Sequence, residues 1–530
     1  MRYYLNLDNR VFKEDLEDIF VDKSESISFF NKAINSKRKF ICVSRPRRFG
    51  KSMMTSLMNA YYSKGCDSKS LFCKLNIAKD PSYLEHLNKY NVIWIDIQEE
   101  LRLNNNNADT VLSFITEGVV KELEEEFQST FEKRNIPFAL RQLNQQKGIS
   151  FIVIIDEWDA IFRDCSHGKK LEKDYIEFLG GLFKGEKSQK KFISLAYITG
   201  ILPLARYNSQ SALNNFDEYT MLNPCDLAPF YGFTLDETKL LCNEYGISLD
   251  EAKEWYDGYK VGNYHMLNPN SVVSYIKFKK ACSYWTKTAA FEDVSFLIES
   301  NFEGLKDDFV TLITKGNIPG FDFSQYNNDL TKIDDREKAI TYLIHLGYLA
   351  FNEETRKIYI PNLEVKNEIV HGVLKATKGG IVDYIKQSRE VLIKTILGDT
   401  KFVADTIADI HEHRIPIIQY NNENSLAITV DYAYIASLDY YEPSVREYPT
   451  GKGYADIVYI PRIEYLDEYP AIVVELKWDG SAEDAVAQIK ERNYLHKVLE
   501  KTDNIILVGI NYNSKSKVHS CVIEKFEAQI

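Results

Sequence analysis

The sequence predicts an α/β protein of more than one domain. It has a doubly wound parallel sheet in the N-terminal third, a mostly helical middle and a second α/β domain at the C-terminal end. Three observations carry this. Short apolar, β-forming runs alternate with helical stretches in the first third, the pattern of parallel strands joined by crossover helices. From about Leu227 to Asn362 the alternation gives way to helices. Strand-like runs return at Asp456–Ile460 and Ala471–Lys477, and an amphipathic helix follows them. A chain of 530 residues exceeds one compact core. The regions divide at 1–226, 227–366 and 367–530.

Bulk composition excludes several classes. Hydrophobic residues at 45% and charged residues at 27% describe a globular chain. No apolar run is long enough to span a bilayer, and Met1 to Asn6 lacks the apolar stretch of a signal peptide. The eight cysteines are scattered without a Cys-x-x-Cys pair. That argues against a zinc ribbon or a disulfide framework and predicts a cytoplasmic protein. A net charge of −12 excludes a globally basic nucleic-acid coat but leaves room for a local basic path.

Phe40-Ile41-Cys42-Val43-Ser44 reads as a buried strand. A turn, Gly50-Lys51-Ser52 and the helix start Met53 to Met58 follow. Strand, loop, Gly-Lys-Ser and helix is the context of a P-loop, whose backbone N–H groups and helix dipole face phosphates. Lys51 would reach the β- and γ-phosphates of ATP, and Ser52 would hold Mg²⁺. Arg45 stands where GxxxxGK[ST] has its first glycine, and Arg47 and Arg48 crowd charge at the phosphate site. Gly-Lys-Ser alone also fits a basic surface turn.

Phe151 to Ile155 is a continuous apolar run ending in Asp156-Glu157. It reads as a central parallel strand. Asp156 would hold the Mg²⁺ through water, and Glu157 would orient the attacking water. Asn91–Asp96 and Lys191–Gly200 supply further strands. Thr199 falls where a sensor residue would touch the γ-phosphate, and Arg206 follows it; each also has a structural reading.

Phe20-Val21-Asp22-Lys23-Ser24, Ser44 to Ser52 and Ile155-Asp156-Glu157-Trp158-Asp159 resemble the bacterial AAA-ATPase-like family, itself compared with STAND-type signalling ATPases. Arg-Pro-Arg-Arg-Phe-Gly-Lys-Ser is that family's signature, so the lost glycine is expected. The resemblance implies a P-loop NTPase fold in which Arg47, Arg48, Phe49, Gly50, Lys51 and Ser52 bind nucleotide. Thr199 to Pro203, Tyr256 to Tyr259 and Asn268-Pro269 are similar to its further motifs.

The middle region shows no catalytic constellation, and Cys242 and Trp285 read as core. Arg336 to Ile344 reads as an amphipathic helix that Gly347 breaks, with a hairpin from Tyr348–Phe351 to Lys357–Ile360. Helix and hairpin suggest a winged helix whose role is packing rather than DNA binding.

In the C-terminal third, Glu475 and Lys477 share a strand face, and Asp456 begins a neighbouring strand. Two carboxylates and a lysine at a sheet edge suit Mg²⁺, with Mn²⁺ as a substitute, and phosphate chemistry. Glu-x-Lys alone also fits a solvated strand face. Ala482, Ala485, Val486 and Ile489 define a helix face beside which Gln488 sits. The pattern resembles the PD-(D/E)xK nuclease domain, which implies a restriction-endonuclease-like fold. Asn422-Glu423-Asn424-Ser425 is similar to its first motif, and that similarity implies Glu423 as a further metal ligand. His411-Glu412-His413 lacks a third ligand and reads as a surface feature.

Together these predict an ATP-controlled, metal-dependent nuclease acting on nucleic acid, DNA ahead of RNA, with no membrane partner. A homo-oligomer through the ATPase domain stays open. Family analogy points to phage defence or a mobile element. The rival readings are a nucleotide-dependent regulatory switch and a DNA-binding ATPase that uses its nuclease fold as a clamp.

Overall fold

The computed structural model describes residues 2–104, 107, 110–163, 168–184, 189–204, 213–285, 297, 302–323, 333–375, 381–414, 423–442, 445–449, 454–491 and 495–526. The chain divides into two compact units. One is Met1–Ala290 with Pro319–Lys366; the other is Phe291–Ile318 with Asn367–Ile530. Among the described residues no helix is long and apolar enough to cross a membrane.

In the first unit, strands β1 (Phe40–Ser44), β2 (Asn91–Asp96), β3 (Phe151–Asp156), β4 (Ile193–Gly200) and β5 (Asp217–Tyr219) form one sheet in the order β2-β3-β4-β1-β5. Every pairing is parallel. β1, β3 and β4 are buried at each position, which is why they read as unbroken apolar runs. Ligands of such sheets bind beyond the carboxyl ends of the strands. That edge carries Ser44, Asp96, Asp156 and Gly200, with Asp96 paired to Asp156 and Ser44 to Gly200.

A small antiparallel sheet follows, with β6 (Phe233–Thr234), β7 (Tyr259–Val261) and β8 (Tyr264–Leu267) in the order β6-β8-β7. Thr234 and Glu237 close a capping box on the helix Leu235–Tyr245. Cys242 and Trp285 are core residues, as expected. After the short strand β9 (Asn317–Pro319), the expected helix spans Arg336–Leu346 and ends on Gly347 at φ 87°. The hairpin pairs β10 (Ala350–Asn352) with β11 (Lys357–Tyr359). One expectation is corrected. The helix is not amphipathic, because every position from Ala339 to Leu346 is buried. Its charged residues Arg336, Glu337 and Lys338 occupy only the first turn, and its later polar residues Thr341 and His345 are buried, so it offers no polar face to DNA.

In the second unit, β12 (Val445–Pro449), β13 (Tyr454–Tyr459), β14 (Ala471–Trp478), β15 (Ile505–Asn513) and β16 (Val518–Lys525) lie in that spatial order. Only β14 and β15 pair parallel. The helix Ala482–Glu491 buries Ala482, Ala485, Val486 and Ile489, the face its spacing predicts.

The histidine cluster lies on the helix Thr400–Arg414; Glu412 is exposed, and His411 is half-buried. Its ring stands 5.0 Å from that of Tyr512 and 5.1 Å from that of His519. The side chain of His413 lies outside the described residues. Burial, reinforced by His411, pushes the His519 imidazole down to about 4 from its ordinary 6.5. A histidine held neutral in the folded state contributes its full stability above pH 6.5 and loses it as the pH falls toward 4. Replacing His519 by glutamine is therefore expected to remove roughly 2 kcal/mol of acid sensitivity over that window. Urea unfolding of the second unit at pH 7 and pH 4.5 checks this.

Candidate functional site

Each unit carries one candidate site at a sheet edge. In the first, Gly50 caps the helix Lys51–Tyr62 at φ 84°, a left-handed conformation that favours glycine. The space around it is open to a further atom. Lys51 is buried, and its Nζ donates to the carbonyls of Arg45 at 3.1 Å and Pro46 at 3.0 Å. It lies 3.9 Å from Glu157 Oε1. Burial pulls the Lys51 amine down, and Glu157, Asp156 and Asp159 counter that pull.

The loop arginines divide. Arg45 is fully buried, and its Nη1 donates to the carbonyls of Ser44 and Tyr219, each at 2.8 Å. Its guanidinium lies 5.2 Å from the Tyr231 ring centre. The residue that replaces the expected glycine thus fills the underside of the loop. Arg47 acts on Glu157 through its charge. Arg48 is exposed and donates to the Tyr284 carbonyl at 2.6 Å.

Asp156 ends β3 beside the helix. Thr55 Oγ1 donates to its Oδ2 at 3.3 Å. Burial first, then Glu157 and Asp96, push this carboxyl up to about 7, against the Ser52 hydroxyl and Lys51. A carboxyl raised by burial and by two acidic neighbours fits a divalent cation, which would offset the negative charge. Ser52 and Asp156 are the side chains that would hold it. Burial pushes Glu157 up, but Lys51, Arg163 and Arg47 outweigh it and hold this carboxyl below its usual range.

A cleft of about 470 Å³ opens over the loop. Lys51, Ser52 and Glu157 line its polar end, while Phe20, Val21 and Phe233 supply apolar wall. The cleft matches the size of a nucleotide pocket. Phe20 and Val21 are held there by their neighbours: Asp22 accepts from the Asn76 N–H at 2.7 Å, and Lys23 Nζ donates to Glu237 Oε2 at 2.6 Å. Thr199 is placed differently from the expected phosphate contact. It is fully buried, and its Oγ1 donates to the Val43 carbonyl at 2.8 Å, tying β4 to β1. Arg206 lies outside the described residues.

Sequence reasoning missed an anchoring chain behind Glu157. Asp159 is fully buried and accepts from the N–H groups of Ile201 at 3.1 Å and Leu202 at 2.9 Å. Arg163 Nε lies 3.2 Å from Asp159 Oδ2, and Arg163 Nη2 donates to Glu157 Oε2. A Cβ at Gly200 would meet Asp159 Oδ1 at 2.4 Å, so only glycine fits there. The recurrence of charged residues around Asp156-Glu157-Trp158-Asp159 was the available signal. Asp96 was missed because a strand-ending aspartate reads as a helix cap, and it also serves as one: it accepts from the Glu99 N–H at 2.9 Å.

In the second unit the structure brings Asp456, Glu475, Lys477 and Gln488 together. The Leu476 N–H donates to Asp456 Oδ2 at 2.7 Å. Glu475 is buried, and Lys477 Nζ lies 3.5 Å from its Oε1. Lys477 Nζ donates to Gln488 Oε1 at 2.8 Å, and Gln488 Nε2 donates to Glu475 Oε1. Gly509, paired with Glu475 across β14 and β15, lets the helix bearing Gln488 come this close. A Cβ there would meet the Ala482 carbonyl oxygen at 2.1 Å. Asp456 and Glu475 are the oxygen donors that would take a hard divalent cation here. Glu423 begins the helix Glu423–Ala433, and its side chain lies outside the described residues. Among the described residues no group of three or more His, Cys, Asp or Glu side chains is arranged around a metal position.

The first unit thus has a parallel sheet with a P-loop at its carboxyl edge, and the second a mixed sheet that gathers two carboxylates, a lysine and a glutamine. Comparison with known proteins gives the same pairing. Residues 11–208 match the family described as "Predicted AAA-ATPase", and residues 421–521 match the PD-(D/E)XK nuclease superfamily. Over 400 residues the chain is 22% identical to an "Uncharacterized protein in vnfD 5'region" of Azotobacter chroococcum mcd 1, an alignment covering 71% of this chain and 72% of that protein. Among solved structures it is similar to Cdc6p from Pyrobaculum aerophilum, at 10% identity and a TM-score of 0.24, over 67% of this chain and 94% of that one. It is also similar to the Aeropyrum pernix ORC2 protein, at 10% identity and a TM-score of 0.26, over 70% and 99%.

Proposed function

We propose that this chain binds ATP at the Gly50-Lys51-Ser52 loop and hydrolyses phosphodiester bonds, of DNA in particular, at Asp456, Glu475 and Lys477, with nucleotide controlling cleavage. The observation that carries this reading is the linked set Glu475, Lys477 and Gln488. A buried carboxylate tied to a lysine and an amide is the kind of charge set that clusters at functional sites. Asp456 and Glu475 would hold a divalent metal, with Glu423 as a further ligand, and that metal would supply an activated water and a polarised scissile phosphate. Lys477 offsets the negative charge that develops on the phosphate as the water attacks. Gln488 holds Lys477 at the height where it can do so.

In the first unit, the amides at the start of the helix Lys51–Tyr62 and the Lys51 ammonium face the phosphates. Arg47, Arg48 and Phe49 border them. Glu157 accepts the proton of the water attacking the γ-phosphate, and Arg163 fixes the direction of its carboxylate. Replacing Arg163 by alanine is expected to lower ATP turnover about tenfold while leaving ATP affinity within about twofold, because positioning and not binding is lost. Steady-state turnover beside equilibrium ATP binding reads the split.

The test of the whole reading is incubation with plasmid DNA, single-stranded DNA and RNA, with Mg²⁺ or Mn²⁺, with and without ATP. Cleavage of DNA in the presence of metal, altered by ATP, is expected. No cleavage of any substrate would overturn the nuclease assignment. Cleavage that ignores ATP would overturn the control.

A further inference from the structure

The signature Arg45-Pro46-Arg47-Arg48-Phe49 surrounds the phosphate loop, yet four of its five side chains are engaged elsewhere in the first unit. Pro46 lies against Gly347, where an added Cβ would meet Pro46 Cβ at 2.8 Å and Cγ at 3.0 Å. The Phe49 ring stands edge-on to Tyr259, 5.1 Å between centres. The Tyr259 hydroxyl in turn donates to the Gly347 carbonyl at 2.9 Å. Arg48 reaches the Tyr284 carbonyl. The charge of Arg45 acts on His345, whose imidazole burial and Arg45 together push down to about 3.

Arg45 and His345 are both fully buried. Arg45 Nε and Nη2 and both ring nitrogens of His345 have no hydrogen-bond partner. Unsatisfied buried polar groups cost free energy, so a junction that retains them is held by what surrounds it. Here that is the packing of Pro46 on Gly347 and of Phe49 on Tyr259.

We infer that the middle region sets the shape of the nucleotide loop, with Tyr259 and Gly347 as positioning residues for a site they do not touch. The inference rests on the ATP-binding reading above. Lys51 Nζ is bonded to the carbonyls of Arg45 and Pro46. A phosphate that draws Lys51 toward itself breaks those bonds and moves the backbone on which Gly347 rests. Occupancy of the loop is thereby transmitted to the helix Arg336–Leu346, and the position of that helix feeds back on affinity by the same factor. Trp285 reports the movement, since its Cη2 lies 3.0 Å from the same added Cβ.

The test compares ATP affinity of the full chain carrying Gly347→Ala with that of Gly148→Ala. Both glycines cap helices with positive φ, at 87° and 67°, but an atom added at Gly148 meets nothing within 4 Å. The two substitutions share backbone strain, and only Gly347→Ala presses on the loop. Gly148→Ala is expected to bind ATP as wild type does, and Gly347→Ala at least tenfold more weakly. ATP is expected to change tryptophan fluorescence in wild type, and Trp285→Phe to abolish that change. Should Gly347→Ala fail to fold, Tyr259→Phe keeps the ring on Phe49 and removes the hydroxyl that bonds Gly347 and meets Asn362; a several-fold loss of affinity is then expected. Wild-type affinity in folded Gly347→Ala, or in Tyr259→Phe where it stands in, overturns the inference. A wild-type protein that binds no ATP overturns the nucleotide reading itself.

Discussion

Lys477→Ala is expected to lower the rate of DNA cleavage by about two to three orders of magnitude, the usual cost of deleting a charge aimed at a developing oxyanion. The geometry explains why the loss should fall on chemistry and not on folding. Lys477 is only partly buried, with 24% of its side chain exposed, so no core cavity opens when it is cut back. Asp456 and Glu475 keep their places, because the Leu476 N–H still holds the first and Gln488 the second. Metal affinity, read by Mn²⁺ titration, should therefore change little. Gln488→Ala should be milder, about tenfold, since it removes the support and leaves the charge. Single-turnover cleavage of a labelled duplex, beside a thermal melt, separates these outcomes. A Lys477→Ala protein that cuts at the wild-type rate would remove this edge of β14 from the chemistry.

The strands were legible because parallel strands buried on both faces have no choice but to be apolar throughout, as Phe151 to Ile155 shows. Gly-Lys-Ser and Glu-x-Lys were legible because each needs neighbours in fixed order along one element. Residues that no motif marks were not. Asp159 matters through the amides of Ile201 and Leu202, and Arg163 through Asp159 and Glu157, contacts that no local pattern announces. Gly509 sits inside an apolar strand, where a glycine shows no sign of the helix that crosses it. The helix Arg336–Leu346 misled in the opposite way: three polar residues in its first turn imitated an exposed face. The ring partners of the half-buried His411, Tyr512 and His519, were not legible because they lie far along the chain.

Lys51→Ala is expected to weaken ATP binding by about 3 kcal/mol, roughly a hundredfold, through loss of charge-assisted bonds to the phosphates. Its effect on folding should be small for a reason visible in the site. A buried ammonium is costly, and burial already pulls this one down, so removing it also removes a desolvation cost. The acids nearby pay instead: Lys51 is one of the groups that hold Glu157 low and restrain the rise of Asp156. Without it both carboxyls shift upward, and the loop retains neither its cation nor a fully ionised pair of acids. Isothermal titration with ATP and Mg²⁺ measures the loss directly. The same variant decides how the two units work together. If nucleotide controls cleavage, Lys51→Ala should cut DNA at one rate with or without ATP, whereas wild type shows two. An unchanged response to ATP in Lys51→Ala would mean that the controlling nucleotide binds somewhere other than the Gly50-Lys51-Ser52 loop.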